Sequence, residues 1–93
     1  MQRYVIERTV PGAGQMDGAA LAAIAAKSND VLKGLGPDIQ WVHSYVTDDK
    51  IVCVYNASGP EIIKEHARCG GFPVDAVHRV SATIDPTTAE SAS

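Results

Sequence analysis

Polar and apolar residues alternate over residues 3–10 (RYVIERTV), and that period of two with β-branched residues predicts a strand, which Pro11-Gly12-Ala13-Gly14 must end. From Met16 to about Leu35 the period changes. Leu21, Ile24, Ala25, Val31, Leu32 and Leu35 recur at spacings of three and four, Asp17 stands where an N-cap is needed, and Gly36-Pro37 stops the helix. The alanines at 19, 20, 22, 23, 25 and 26 favour helix and let its backbone sit close to whatever lies beneath. Residues 39–47 and 50–56 alternate again, and Asp48-Asp49 between them suits a tight hairpin turn. Ser58, Pro60 and Glu61 predict a capping box opening a second helix, EIIKEHARC, which Gly70-Gly71 closes. Residues 77–85 (VHRVSATID) read as a last strand, and the small polar residues 87–93 as a loose tail. The order is βαββαβ. It predicts an α+β, ferredoxin-like sandwich spanning residues 1–86 as one domain, with two helices on one face of a four-stranded antiparallel sheet.

The hairpin carries more information than its period. A two-residue turn at Asp48-Asp49 pairs Thr47 with Lys50, Tyr45 with Val52, His43 with Val54 and Trp41 with Asn56. One face then holds Trp41, His43, Tyr45, Val52 and Val54, and the other Val42, Ser44, Val46, Ile51, Cys53 and Tyr55. Neither is polar enough for water, yet the helices cover one face only. A second copy of the sheet is the simplest cover for the other, so a homodimer of the dimeric α+β barrel kind is expected.

Composition narrows the partners. A chain of 93 residues with 45% hydrophobic and only 5% aromatic content builds one small core, which favours burying more surface in an oligomer. The net charge is −3 and the basic residues are scattered, so nucleic acid is not an expected partner. No apolar run approaches a membrane span, and MQRYVIERTV lacks the unbroken apolar stretch of a secretory signal, so a cytoplasmic location is expected. Cys53 and Cys69 have no CxxC spacing and are expected to be free thiols.

Among residues that could do chemistry, His43 stands mid-strand between Trp41 and Tyr45, where it is either a ligand or base, or a hydrogen-bonded core histidine. His66 follows Ile62 and Ile63 by four and three, which turns it towards the sheet. Cys69, three further on, could share a soft metal with it, although a structural thiol is the commoner role. Glu61, Glu65 and Arg68 read as a solvated ion-paired face. Glu7 in the first strand could serve as metal ligand or base, or simply pair with Arg8 or Arg79. His78 reads as exposed. The glycines form no phosphate-binding fingerprint, and no catalytic triad motif is present.

Four stretches, ERTVPG, WVHSYVTDDKIVCVYNA, EHARCGGFP and VSATIDPTTAE, give the chain a resemblance over nearly its whole length. It resembles the small bacterial nickel-responsive proteins of ferredoxin-like fold, a family otherwise known mostly as a domain of unknown function. The resemblance implies a homodimer able to bind nickel and implies no established reaction. Glu7, His43, Tyr45, Cys53, Tyr55, Glu65 and His66 coincide with the family pattern, whereas His78 does not look like part of it. On that basis His43, His66 and Glu7 are the expected metal ligands, for nickel first and for copper or zinc by the same donors. The expected function is therefore a metal-binding protein that buffers, carries or senses nickel. The alternative is a small cofactor-independent monooxygenase or isomerase with His43 as base, Glu7 as its partner, and Trp41, Tyr45 and Tyr55 around an organic substrate. A partner-binding module without catalysis is a third reading, resting only on how often the fold is reused.

Overall fold

A computed structural model describes residues 1–92. The strands are β1 (Gln2–Thr9), β2 (Ile39–Val46), β3 (Lys50–Ala57) and β4 (Ala76–Arg79), and the helices are α1 (Gly18–Leu35) and α2 (Pro60–Gly70). The strands form one antiparallel sheet in the order β2-β3-β1-β4, the ferredoxin-like arrangement that the βαββαβ pattern predicts.

The pleat divides the sheet sharply. Tyr4, Ile6 and Arg8 of β1 and Ile51, Cys53, Tyr55 and Ala57 of β3 are buried beneath the helices, joined by Ile39 of β2 and by Ile63 and Ala67 of α2. The intervening residues, among them Val5, Glu7 and Val52, turn to the opposite, open face. α1 begins at the Asp17 cap, whose side chain accepts from the Ala20 amide at 2.8 Å. Its inner stripe of Leu21, Ile24, Ala25, Ser28, Leu32 and Leu35 follows the predicted period, but the helix is not sealed onto the sheet. A cavity of about 230 Å³ lies between them.

The hairpin keeps the predicted pairs Thr47–Lys50, Tyr45–Val52 and His43–Val54, and departs from prediction beyond His43. A β-bulge between Trp41 and His43 makes Val42 the extra residue, so Trp41 pairs with Tyr55 and not with Asn56. Trp41 thereby leaves the face of His43 and Tyr45 and turns under the helices. There its indole Nε1 donates to Ser44 Oγ at 3.0 Å, a bond that residues three apart on a regular strand could not make. Partial burial of the largest apolar side chain in the chain favours the bulged register over the regular one.

Two other expectations are corrected. The capping box at α2 does not form: the N-cap is Gly59, without a side-chain cap, and Pro60 takes the first turn. β4 ends at Arg79 instead of 85, because its partner β1 begins at Gln2 and the ladder runs out after Val80 N donates to Arg3 O. Residues 86–92 form 3-10 turns, entered through Asp85, whose backbone N–H receives support from Thr88 Oγ1 and whose carboxylate accepts from the Thr87 amide. The end of α2 is as predicted. Gly71 adopts a left-handed conformation (φ 69°), and the amides of Gly71 and Phe72 reach back to the carbonyls of Arg68 and Ala67. No helix among the described residues is long and apolar enough to cross a membrane.

The loop after β1 packs on the hairpin turn, where Gly14 N donates to Asp48 O and Val10 N donates to Asp49 O. A Cβ on Gly14 would lie 2.9 Å from the Asp48 Cα, against backbone that cannot swing aside. Gly14→Ala should therefore destabilise the fold by about 1–2 kcal/mol, read as a lower urea midpoint at unchanged slope. An unchanged midpoint would show that the loop and turn are not held together.

Candidate functional site

Strand parity sorts the candidate residues onto two surfaces, and the bulge moves Trp41 to the helix side. On the open face the register sets His43, Val54, Val5 and His78 in one row across all four strands, with Tyr45, Val52, Glu7 and Ala76 in the next. Glu7 and His78, diagonal neighbours on β1 and β4, meet: His78 Nε2 and Glu7 Oε2 are 2.7 Å apart. This is the partner of Glu7. Arg8 points through the sheet and Arg79 lies on the other side of the pleat, so neither alternative pairing occurs. At the far edge the rings of His43 and Tyr45 pack edge to face at 4.9 Å, with Tyr45 60% exposed. The open face thus has apolar Val5, Val52 and Val54 in its middle, an imidazole–carboxylate pair at one edge and an imidazole and phenol at the other.

The helix face holds different chemistry. His66 is fully buried, as its spacing on α2 predicts, and shares a hydrogen bond with Ser28 Oγ of α1 at 3.1 Å through Nε2. Its ring stacks on Phe72 (5.3 Å) and tilts against Tyr55 (5.4 Å), while Nδ1 has no hydrogen-bond partner. Phe72 can fold back this far because Gly70 has no side chain; a Cβ there would lie 2.2 Å from the ring. Beside this stack Arg8 is only 4% exposed. Its Nη1 donates to Pro73 O at 2.6 Å, its Nε to Cys53 Sγ at 3.4 Å, and its guanidinium lies over the Phe72 ring at 5.6 Å. The other terminal nitrogen, Nη2, is unpartnered, and none of the described acidic residues pairs with Arg8. Burying a guanidinium without a counter-ion costs several kcal/mol, on the order of the desolvation penalty for one ion. Burial also pushes the Tyr55 phenol up, helped by Cys53 and opposed by Arg8.

The expected ligand set does not converge within one chain. Glu7 and His43 share the open face from separate strands, and His66 lies on the opposite side of the sheet. Among the described residues no three His, Cys, Asp or Glu side chains gather around a common point. His66 and Cys69 also part company: His66 points inward, and exposed Cys69 donates to Glu65 Oε1 at 3.4 Å. Glu65 is held below the usual carboxylate range chiefly by its hydrogen bond from Arg68, as an ion-paired solvent face should be. The cavity wall includes Trp41 and Tyr55 but neither His43 nor Tyr45, so an enzyme using His43 as base on a substrate held there is not what the geometry provides. Two residues of consequence escaped the sequence reading. His78 required the β1–β4 register, whereas Arg8 was accessible from strand parity, since it shares a face with Tyr4 and Ile6.

A ferredoxin-like domain with imidazole and carboxylate donors on an uncovered sheet face is the class defined by this geometry. The model of the family described as "Nickel responsive protein SCO4226-like" matches residues 4–80, and the chain belongs to that family. No curated protein matches the chain. Among solved structures, SCO4226 from Streptomyces coelicolor A3(2) is similar, with a TM-score of 0.74 over 88% of this chain and 99% of that one. At 13% identity this likeness concerns the fold.

The buried imidazole makes stability depend on pH. The pKa of His66 is lowered from 6.5 to about 4, first by burial and then by the charge of Arg8, with Ser28 acting in the other direction. Between those values the unfolded chain binds a proton that the folded chain refuses, so stability is full above about pH 6.5 and falls as the pH drops towards 4. The loss integrates to about 3 kcal/mol. Urea titrations of wild type and His66→Phe between about pH 7 and pH 5 should show a shallower dependence in the variant; equal slopes would mean that His66 is protonated alike in both states.

Proposed function

We propose that the chain is a nickel-binding protein that buffers, carries or senses the metal as a homodimer, with Glu7 and His78 of one subunit and His43 of its partner as ligands. The observation that carries this reading is the contact between His78 Nε2 and Glu7 Oε2 on the open face. Imidazole and carboxylate donors suit nickel, and copper and zinc as well, so the family's nickel-responsive character is what favours nickel. On the open face, among the described residues of one chain, Glu7 and His78 are the two donors in contact, and a second subunit is the natural source of more.

The register supports a particular pairing. His43 and His78 end the same row at opposite edges of the sheet. If two sheets pack face to face about a two-fold axis parallel to the strands, each row faces itself reversed, and His43 of one subunit lies over His78 and Glu7 of the other. Valines 5, 52 and 54 would form the dry centre of that interface. Two equivalent sites result, one per chain. This set keeps Glu7 and His43 from the sequence expectation and replaces His66, which is enclosed beneath α2, by His78. The location in keeping with this role is the cytoplasm, where buried Cys53 and exposed Cys69 stay as free thiols.

Calorimetric titration with nickel should give one ion per chain. His78→Ala, Glu7→Gln and His43→Ala should each weaken binding by about tenfold or more, while His66→Phe leaves it unchanged. Binding that survives all three open-face variants, or that is lost with His66, contradicts this ligand set. By sedimentation the wild type should be a dimer and Val52→Lys a monomer, in which adding His43→Ala has no further effect on nickel affinity. A monomeric wild type would rule out the shared site.

A further inference from the structure

We propose that the cavity between α1 and the sheet binds a small organic monocarboxylate with an apolar body, its carboxylate held by the Arg8 guanidinium. This site lies on the opposite side of the sheet from the nickel site and does not depend on it.

Size, lining and charge agree. A cavity of about 150 Å³ is enough for benzene; at about 230 Å³ this one has room for a single ring, or a short alkyl chain, together with a carboxylate. Leu21, Ile24, Trp41, Val46, Ile51 and Phe72 give it apolar walls. Arg8 is the one charged residue in the wall, and it is 4% exposed with Nη2 unpartnered. The Pro73 carbonyl and the Cys53 sulfur hold the guanidinium at two of its three nitrogens. A guanidinium held in this way, with Nη2 unpartnered and no counter-ion, suits a carboxylate. A single cation neutralises a single negative charge, which favours a monocarboxylate over a phosphate or a dianion. Tyr55, Ser28 and Ser44 supply hydroxyls in the same wall. The α1 wall residues Leu21, Ile24 and Ala25 are only partly buried, which gives a path for entry along that helix.

The chain's single tryptophan, Trp41, reports occupancy. Benzoate and hexanoate added to the full-length protein should each change Trp41 fluorescence saturably and raise the melting temperature, with benzyl alcohol weaker by about tenfold or more. Arg8→Met replaces a buried unpaired charge with an apolar chain of similar volume and is expected to fold; it should bind benzoate no better than benzyl alcohol. Ala25→Phe, which fills the cavity from α1 and leaves Arg8 in place, should lose both ligands. Three results overturn the proposal: neither carboxylate bound by wild type at about 20 mM, equal affinity for benzoate and benzyl alcohol, or undiminished benzoate binding in Arg8→Met or Ala25→Phe.

Discussion

The extra residue in β2 decides which surface receives the chain's one tryptophan. A strand alternates faces with every residue, so the bulge at Val42 lets Trp41 and His43, two apart in sequence, point to opposite sides. Without it the indole would stand beside the imidazole on the open face and the cavity would lose an aromatic wall. With it, Trp41 joins Ser44 and Tyr55 under the helices, and His43 keeps its place in the row ending at His78. Partial burial of one indole supplies the driving force, while His43, Glu7 and His78 keep the places that the hairpin turn and the β1–β4 register give them.

The helix face is held by an unusual choice of residues for a core. Arg8, Phe72, His66 and Ser28 run from β1 through the loop after α2 to α1. The imidazole stays neutral there because burial and a neighbouring guanidinium both oppose its protonation. Two polar atoms in this group, Arg8 Nη2 and His66 Nδ1, have no partner. Apolar residues of the same size would pack at lower cost, so the cation weighs against stability unless it meets an anion. Together with α1 standing off the sheet, this leaves the core with a cavity where tight packing would otherwise be.

Much of the architecture was legible in the sequence. Period-two runs, the helical stripe of α1, the Asp17 cap and the closing glycines of α2 fix the order βαββαβ, and local rules suffice for them. The turn at Asp48-Asp49 also gave the pairs nearest to it. The failures lie where local pattern does not reach. A bulge changes the register without changing the alternation enough to be seen. The length of β4 depends on where β1 begins, and the Glu7–His78 contact depends on the pairing of strands about seventy residues apart. His66 was correctly turned inward by its spacing on α2, but spacing along a helix could not show that the sheet separates it from His43 and Glu7. From the sequence Arg8 reads as a partner for Glu7, whereas the alternation of faces puts the two on opposite sides of the sheet.

Central to this account is the claim that metal chemistry belongs to the open face alone and that the helix side takes no part in it. Paramagnetic broadening of amide resonances by substoichiometric nickel tests this most directly. The account predicts that signals around Glu7, His43 and His78 fade first, while those around Ser28 and His66 stay sharp. Broadening centred on α2 and the middle of α1 would contradict it.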